Sequence, residues 1–182
     1  MRGGRQGALS RTDELGMRCL LLLLTLLFLA GCGSSGTYRY RYVPGKTAIL
    51  HRNGQAEAPA HAPPAVHRMI EAGNRIAGLP YRRGGGHGKK GIDSAYDCSG
   101  AVSYVLREGG VLKGSRPSVA FRHYGEPGPG KWVSVYARKD HVFLVVAGLR
   151  FDTGWTRHPE GPRWTTASRP FKGVAIRHPA GL

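Results

Sequence analysis

Apolar residues recur at helical spacing in two stretches. Beginning at Pro63-Pro64, residues Val66, Met69, Ile70 and Ile76 share one face, and Gly78 followed by Pro80 ends the pattern. In the stretch from Cys98 to Glu108, Val102, Val105 and Leu106 keep the same spacing, Gly109-Gly110 supplies a stop, and Asp97 stands where an N-cap belongs. Two helices are therefore predicted, the second starting at Cys98. Further on, residues 125–130 alternate Pro127 and Pro129 with glycines, which is turn chemistry. After them the period falls to two. Residues 132–136, 141–146, 149–153 and 173–177 read as strands, with 155–170 an irregular polar excursion.

A two-residue turn at Ala147-Gly148 fixes the register of the central hairpin. Val146 then faces Leu149, Leu144 faces Phe151, and Phe143 faces Asp152. Val142, Leu144, Val146, Leu149 and Phe151 share one face of the sheet, whereas His141 and Asp152 share the other. The predicted fold is α+β, a helix pair packed on a small antiparallel sheet like the core of papain. Residues 63–182 suffice for one domain with a single core, and no internal repeat is visible.

The first 62 residues read differently. Arg2, Arg5, Arg11 and Arg18 precede a leucine-rich run at 20–29 that ends in Ala30-Gly31-Cys32. That is the layout of a cleaved export signal over residues 1–31, since the run is short for a bilayer span. Met17-Arg18 with the leucine run already forms a complete short signal, so translation is expected to start at Met17. Residues 32–62 turn to Gly, Ser, Pro, Ala and His without a sustained period, and a flexible tether is expected there. About 30 such residues reach roughly 30 Å. Within them Tyr38-Arg39-Tyr40-Arg41-Tyr42 alternates as a strand does, suited to anionic headgroups or to a sheet edge.

Cysteine usage narrows the candidate chemistry. With Cys19 in the leader, Cys98 is the one thiol left to the domain besides Cys32. A thiol in the first turn of a helix meets unpaired N–H groups and the positive end of the dipole, both of which favour the nucleophilic thiolate. Asp97 caps that turn. His141, opening an apolar strand, is the candidate base, and Asp152 across the hairpin is the candidate to orient it, with His158 in the following loop as the rival. Tyr81 follows Pro80 in an extended segment, where its phenol can donate to a developing oxyanion.

Other chemistries fail on their motifs. Residues 82–91 are rich in Gly and Lys, yet Arg83 stands in place of the first Walker glycine and Lys90 in the Ser/Thr place. The stretch is expected to be a mobile basic rim. There is no His-Glu-x-x-His and no cysteine pair for zinc, and no cofactor is implied. The formal charge is +16, and 23 Lys and Arg against 9 Asp and Glu follow Cys32. Such a domain is drawn to polyanions. For an exported domain these are wall carboxylates and envelope phosphates rather than nucleic acid.

Three separated motifs combine into a resemblance. Leu79-Pro80-Tyr81-Arg82-Arg83-Gly84-Gly85, Asp97-Cys98-Ser99-Gly100 and Asp140-His141-Val142 resemble, in that order, the NlpC-type (NlpC/p-sixty) cell-wall cysteine peptidases over residues 64–182. The resemblance implies hydrolysis of peptidoglycan stem peptides between D-glutamate and a diamino acid, with Asp97 and Ser99 receiving substrate. It also marks Asp152 as a departure, because related enzymes place His, Asn or Gln there. Leu29-Ala30-Gly31-Cys32 resembles a lipobox. That implies a lipoprotein held to the membrane by an acylated Cys32, followed by Gly33, and at the outer membrane facing the periplasm where the source has one; a monomer is expected. An amidase or acyltransferase on the same fold and a non-catalytic wall-binding lipoprotein remain open alternatives.

Overall fold

The structure is a computed structural model describing residues 34–88, 91–154 and 160–182. The leader, Cys32, Lys89, Lys90 and His158 lie outside the described residues. Helix α1 (Pro64–Ile76) begins with proline at N1, where the missing N–H is no loss, and buries Val66, Met69, Ile70, Ala72 and Ile76. Helix α2 (Cys98–Glu108) has Asp97 as its N-cap. It ends at Gly109-Gly110, where Gly110 takes the left-handed conformation at φ 81°.

Among the described residues, seven strands form one antiparallel sheet and two form a separate small hairpin. The sheet runs in the order β1 (Ser34–Tyr38), β9 (Arg169–His178), β5 (Val133–Ala137), β6 (Val142–Val146), β7 (Leu149–Thr153), β8 (Pro162–Thr165), and β4 (Glu126–Pro127) joins β9 separately. The small hairpin pairs β2 (Ile49–Leu50) with β3 (Ala56–Glu57), and a 3-10 turn covers Ser118–His123. The β6–β7 register is the expected one, with Leu144 opposite Phe151 and Val146 opposite Leu149. Its turn has φ 44° at Ala147 and φ 75° at Gly148, the double positive φ that a tight two-residue hairpin requires.

The apolar face of this hairpin makes the core with both helices. Val142, Leu144, Val146, Leu149 and Phe151 are fully buried, α2 packs on β6 and β7, and α1 packs on α2 and β8. At Gly73 the close approach of the Trp164 indole leaves no room for a Cβ. The fold is α+β with a helix pair on an antiparallel sheet, as expected.

Two expectations about boundaries are corrected. Residues 34–62 are built into the domain rather than forming a tether. β1 pairs with β9 through Tyr38 opposite Arg169 and Thr37 opposite Pro170, and Ala48, Ala56 and Ala62 enter the core. Tyr38 is the reason the segment stays. Its ring is buried, its hydroxyl donates to the Gly148 carbonyl at 2.8 Å, and it accepts from the Arg150 N–H at 3.1 Å. Burial pushes its pKa up to about 12, so the donor persists. The excursion at 155–170 also contains a strand, β8, whose Trp164 lies opposite Phe151. With β6 on one edge and β8 on the other, β7 is an inner strand, and all five of its residues are buried.

Tyr38→Ala is expected to lower the unfolding free energy by about 3 kcal/mol, as for other large aromatic truncations in cores. Denaturant melts check this, and an unchanged midpoint would show the segment to be a free tether after all.

Candidate active site

Asp97 organises the nucleophile corner. Its Oδ1 accepts from the Gly100 N–H at 2.7 Å, closing the cap of α2, and from the Ser99 hydroxyl at 3.0 Å and His87 Nε2 at 3.0 Å. Its Oδ2 accepts from the Gly84 N–H at 2.8 Å. Burial opposes the charged carboxylate, but these donors outweigh it and hold the pKa below the usual carboxylate range. The ring of His87 is fixed on its other side, with Nδ1 2.6 Å from the Ser115 hydroxyl.

The glycines at 84–86 of the stretch expected to be a mobile basic rim are tied down by hydrogen bonds, and Lys89 and Lys90 lie outside the described residues. Their N–H groups serve the chain's own acceptors: Gly84 donates to Asp97, Gly86 to Asp93 Oδ2 at 3.0 Å, and Gly85 to the Arg82 carbonyl at 2.8 Å. Gly85 and Gly86 are buried against α2, where a Cβ on Gly100 would collide with the Gly85 carbonyl. Only glycine permits this approach of loop to helix.

Cys98 opens α2 at 8% exposure and is the free cysteine of the described residues. His141, just ahead of β6, has the Cys98 thiol near enough to act on the charge of its ring. On its other side His141 Nε2 is 2.9 Å from Asp152 Oδ1. A carboxylate only accepts, so Nε2 carries the proton and Nδ1 is the nitrogen left to face the thiol. Asp152 Oδ1 also accepts from the Thr153 N–H at 2.8 Å. The structure thus brings His141 and Asp152 together, as the hairpin register anticipates, with Cys98 acting on the same ring.

Two buried guanidinium groups back the Asp152 carboxylate. Arg169 Nε lies 3.3 Å and Arg150 Nε 3.7 Å from Oδ2, at ion-pair distance without hydrogen-bond alignment. Arg150 is 2% exposed and lies over the Tyr38 ring, and Arg169 lies over Phe143, which stacks on Tyr136. Burial lowers both guanidinium pKa values, with the Asp152 charge opposing. Neither arginine was marked by the sequence reading. The alternation that puts Asp152 on the polar face puts Arg150 there too, which is the signal that could have found it.

Tyr81 lies in the same corner. Burial first, and then the Cys98 and Asp97 charges, raise its pKa, so the phenol keeps its proton and can donate. Ser99 is buried with its hydroxyl already given to Asp97. His87 and Ser115, which join this network, carried no periodic or motif signal in the sequence. Among the described residues no group of three His, Cys, Asp or Glu is placed to hold a metal ion, and no helix is long and apolar enough to cross a membrane. The chain matches no family model, and no curated protein matches it.

The arrangement can generate a thiolate beside an imidazolium. Burial works against the charged ring, but the bonds to Asp152 and Cys98 and the charges of both outweigh it, and the His141 pKa is pushed up to about 9. This raised value makes the imidazolium a stabilising group below about pH 6.5, and that contribution is lost as pH rises through about 9. An NMR titration of His141 is expected to give a midpoint near 9. Asp152→Asn and Cys98→Ala should each move it down, and an intact protein titrating at 6.5 or below would contradict the array.

Proposed function

We propose that this chain is a cysteine hydrolase of the NlpC type that cleaves stem-peptide bonds of peptidoglycan, acting as an exported lipoprotein. The observation that carries the reading is His141 bonded to Asp152 and acted on by Cys98, with the thiol at a helix N-terminus and the imidazole held by a buried carboxylate. The Pro-Tyr-x-x-Gly-Gly loop and the Asp-Cys-Ser-Gly helix start support it, because they meet at one corner through Asp97 and Gly84.

In the proposed mechanism the Cys98 thiolate attacks the peptide carbonyl, forming the S–C bond. The oxyanion is received by the Cys98 N–H with the Tyr81 phenol, each well-placed donor contributing roughly 3 to 4 kcal/mol. His141 gives its proton to the departing amine as the C–N bond breaks, leaving a thioester. The same ring then takes a proton from water, whose oxygen bonds the carbonyl carbon while the C–S bond breaks and the thiolate is restored. Asp152 keeps the ring in register through both proton transfers. No cofactor takes part, and the enzyme acts as a monomer.

The reading includes an acylated Cys32 anchoring the protein to a membrane, the outer one facing the periplasm where it exists. In sequence that cysteine lies two residues ahead of Ser34, which is paired in β1. The strongly basic composition suits anionic wall and envelope groups.

Digestion of purified peptidoglycan with mass spectrometry of the products tests the chemistry. Cys98→Ala is expected to fold and to release nothing, and a variant that digests at the native rate would end the proposal. Asp152→Ala should cut turnover roughly 10²- to 10⁴-fold, with little loss for His158→Ala; the reverse order would assign the orienting role to His158. Intact mass of membrane-extracted protein should show acylated Cys32 at the mature terminus, and a water-soluble product starting elsewhere would remove the anchor.

A further inference from the structure

We propose that His87 sets the charge selectivity of this site, excluding acyl donors with a free ammonium beside the reacting carbonyl and admitting those whose amine is acylated. The inference rests on the hydrolase reading and refines its substrate.

An ammonium entering the cleft needs a carboxylate partner, and the site contains two. Asp152 is 5% exposed and is engaged by His141, the Thr153 N–H, Arg169 and Arg150. Asp97 is the other, beside the nucleophile in sequence and acting with Cys98 on the Tyr81 phenol. Four internal donors already occupy it. Three of these, the Gly100 and Gly84 N–H groups and the buried Ser99 hydroxyl, belong to the helix start and the loop packed on it. The fourth is His87 Nε2, whose side chain is 31% exposed against 12% for Asp97. His87 therefore stands on the open side of the carboxylate, in the place a substrate ammonium would take. Its own ring cannot swing away freely, since Ser115 holds Nδ1 at 2.6 Å and Ser99 Oγ lies 3.2 Å from Nε2.

Positive groups also act on this corner. Arg83 is exposed and acts on the Tyr81 phenol, the Arg169 guanidinium feels the Cys98 charge, and Arg138 acts on Arg169. A second cation is repelled from such a corner, whereas a carboxylate on the acyl donor is drawn to it, Arg83 being placed to receive one. The substrate class that fits is an N-acylated, carboxylate-bearing peptide. A stem peptide whose N-terminus is still amide-linked fits, whereas a trimmed peptide with a free amine does not.

The test uses two short γ-D-glutamyl-diamino acid peptides with one residue ahead of the glutamate, identical except that one is N-acetylated. For the mature wild-type protein kcat/KM is expected to favour the acetylated peptide by about tenfold or more. His87→Ala removes one of the three donors on Asp97 Oδ1, the one from the more exposed side chain, and should bring the ratio towards one, chiefly by raising turnover of the free-amine peptide. His87→Gln retains an N–H donor and should keep most of the preference, which a merely structural role for the ring would not yield. If the alanine variant melts below the assay temperature, His87→Asn, too short to reach the carboxylate, gives the same readout. A wild type that prefers the free amine, or a ratio untouched by loss of His87, overturns the inference. A wild type that cleaves peptidoglycan but handles both peptides alike overturns it while sparing the hydrolase reading, and one that cleaves none of the three sinks both.

Discussion

A buried carboxylate is stable only where donors surround it, and this structure is arranged around satisfying one at Asp97. Its two oxygens take a helix-start N–H, a loop N–H, a hydroxyl and an imidazole. Each bond ties a different piece of chain to the first turn of α2. The loop at 84–86 can lie so close because glycine removes the side chains that would intervene. Cys98 is positioned as a by-product, being the first helical residue after the cap. Were Asp97 unpaired, the helix start, the loop and the His87 ring would each lose a partner, and the thiol would lose its fixed direction.

Asp152 repeats the device across the hairpin with a different currency of donors. There the partners are an imidazole, one backbone N–H and two guanidinium groups at ion-pair distance. The aromatic rings of Tyr38 and Phe143 lie against those guanidinium groups, giving buried cations a polarisable wall in place of water. Two carboxylates, one on the helix side and one on the strand side, thus fix the two ends of the candidate site, Asp97 capping the helix that Cys98 opens and Asp152 holding the His141 ring.

Much of this was legible in the sequence because it rests on local rules. Asp97 as cap, the stop at Gly109-Gly110 and the register set by Ala147-Gly148 follow from spacing, and that register alone places Asp152 with His141. What failed to show depends on long-range packing. Residues 34–62 look like a linker by composition, yet one tyrosine reaching the Gly148 carbonyl more than a hundred residues away binds the segment down. β8 hides among polar residues because its buried face is just Pro162 and Trp164. His87 sits in a run of glycines with no periodicity to betray it, and its role appears only when Ser115, far along the chain, closes on its second nitrogen. Arg150 and Arg169 read as surface charges until the face they occupy is seen to be covered.

The pairing of β1 with β9 also bears on solubility. β9 is ten residues long, and its first half has β1 as its hydrogen-bonded neighbour through residues 34–38. A domain cut where composition changes, near residue 63, would bare those main-chain groups along with the slot that Tyr38 fills. An open strand edge is a template for another copy of the same strand. The N-terminal segment therefore works as an edge guard, and shortened versions of this protein would be prone to join one another edge to edge, even with every residue of the candidate site retained.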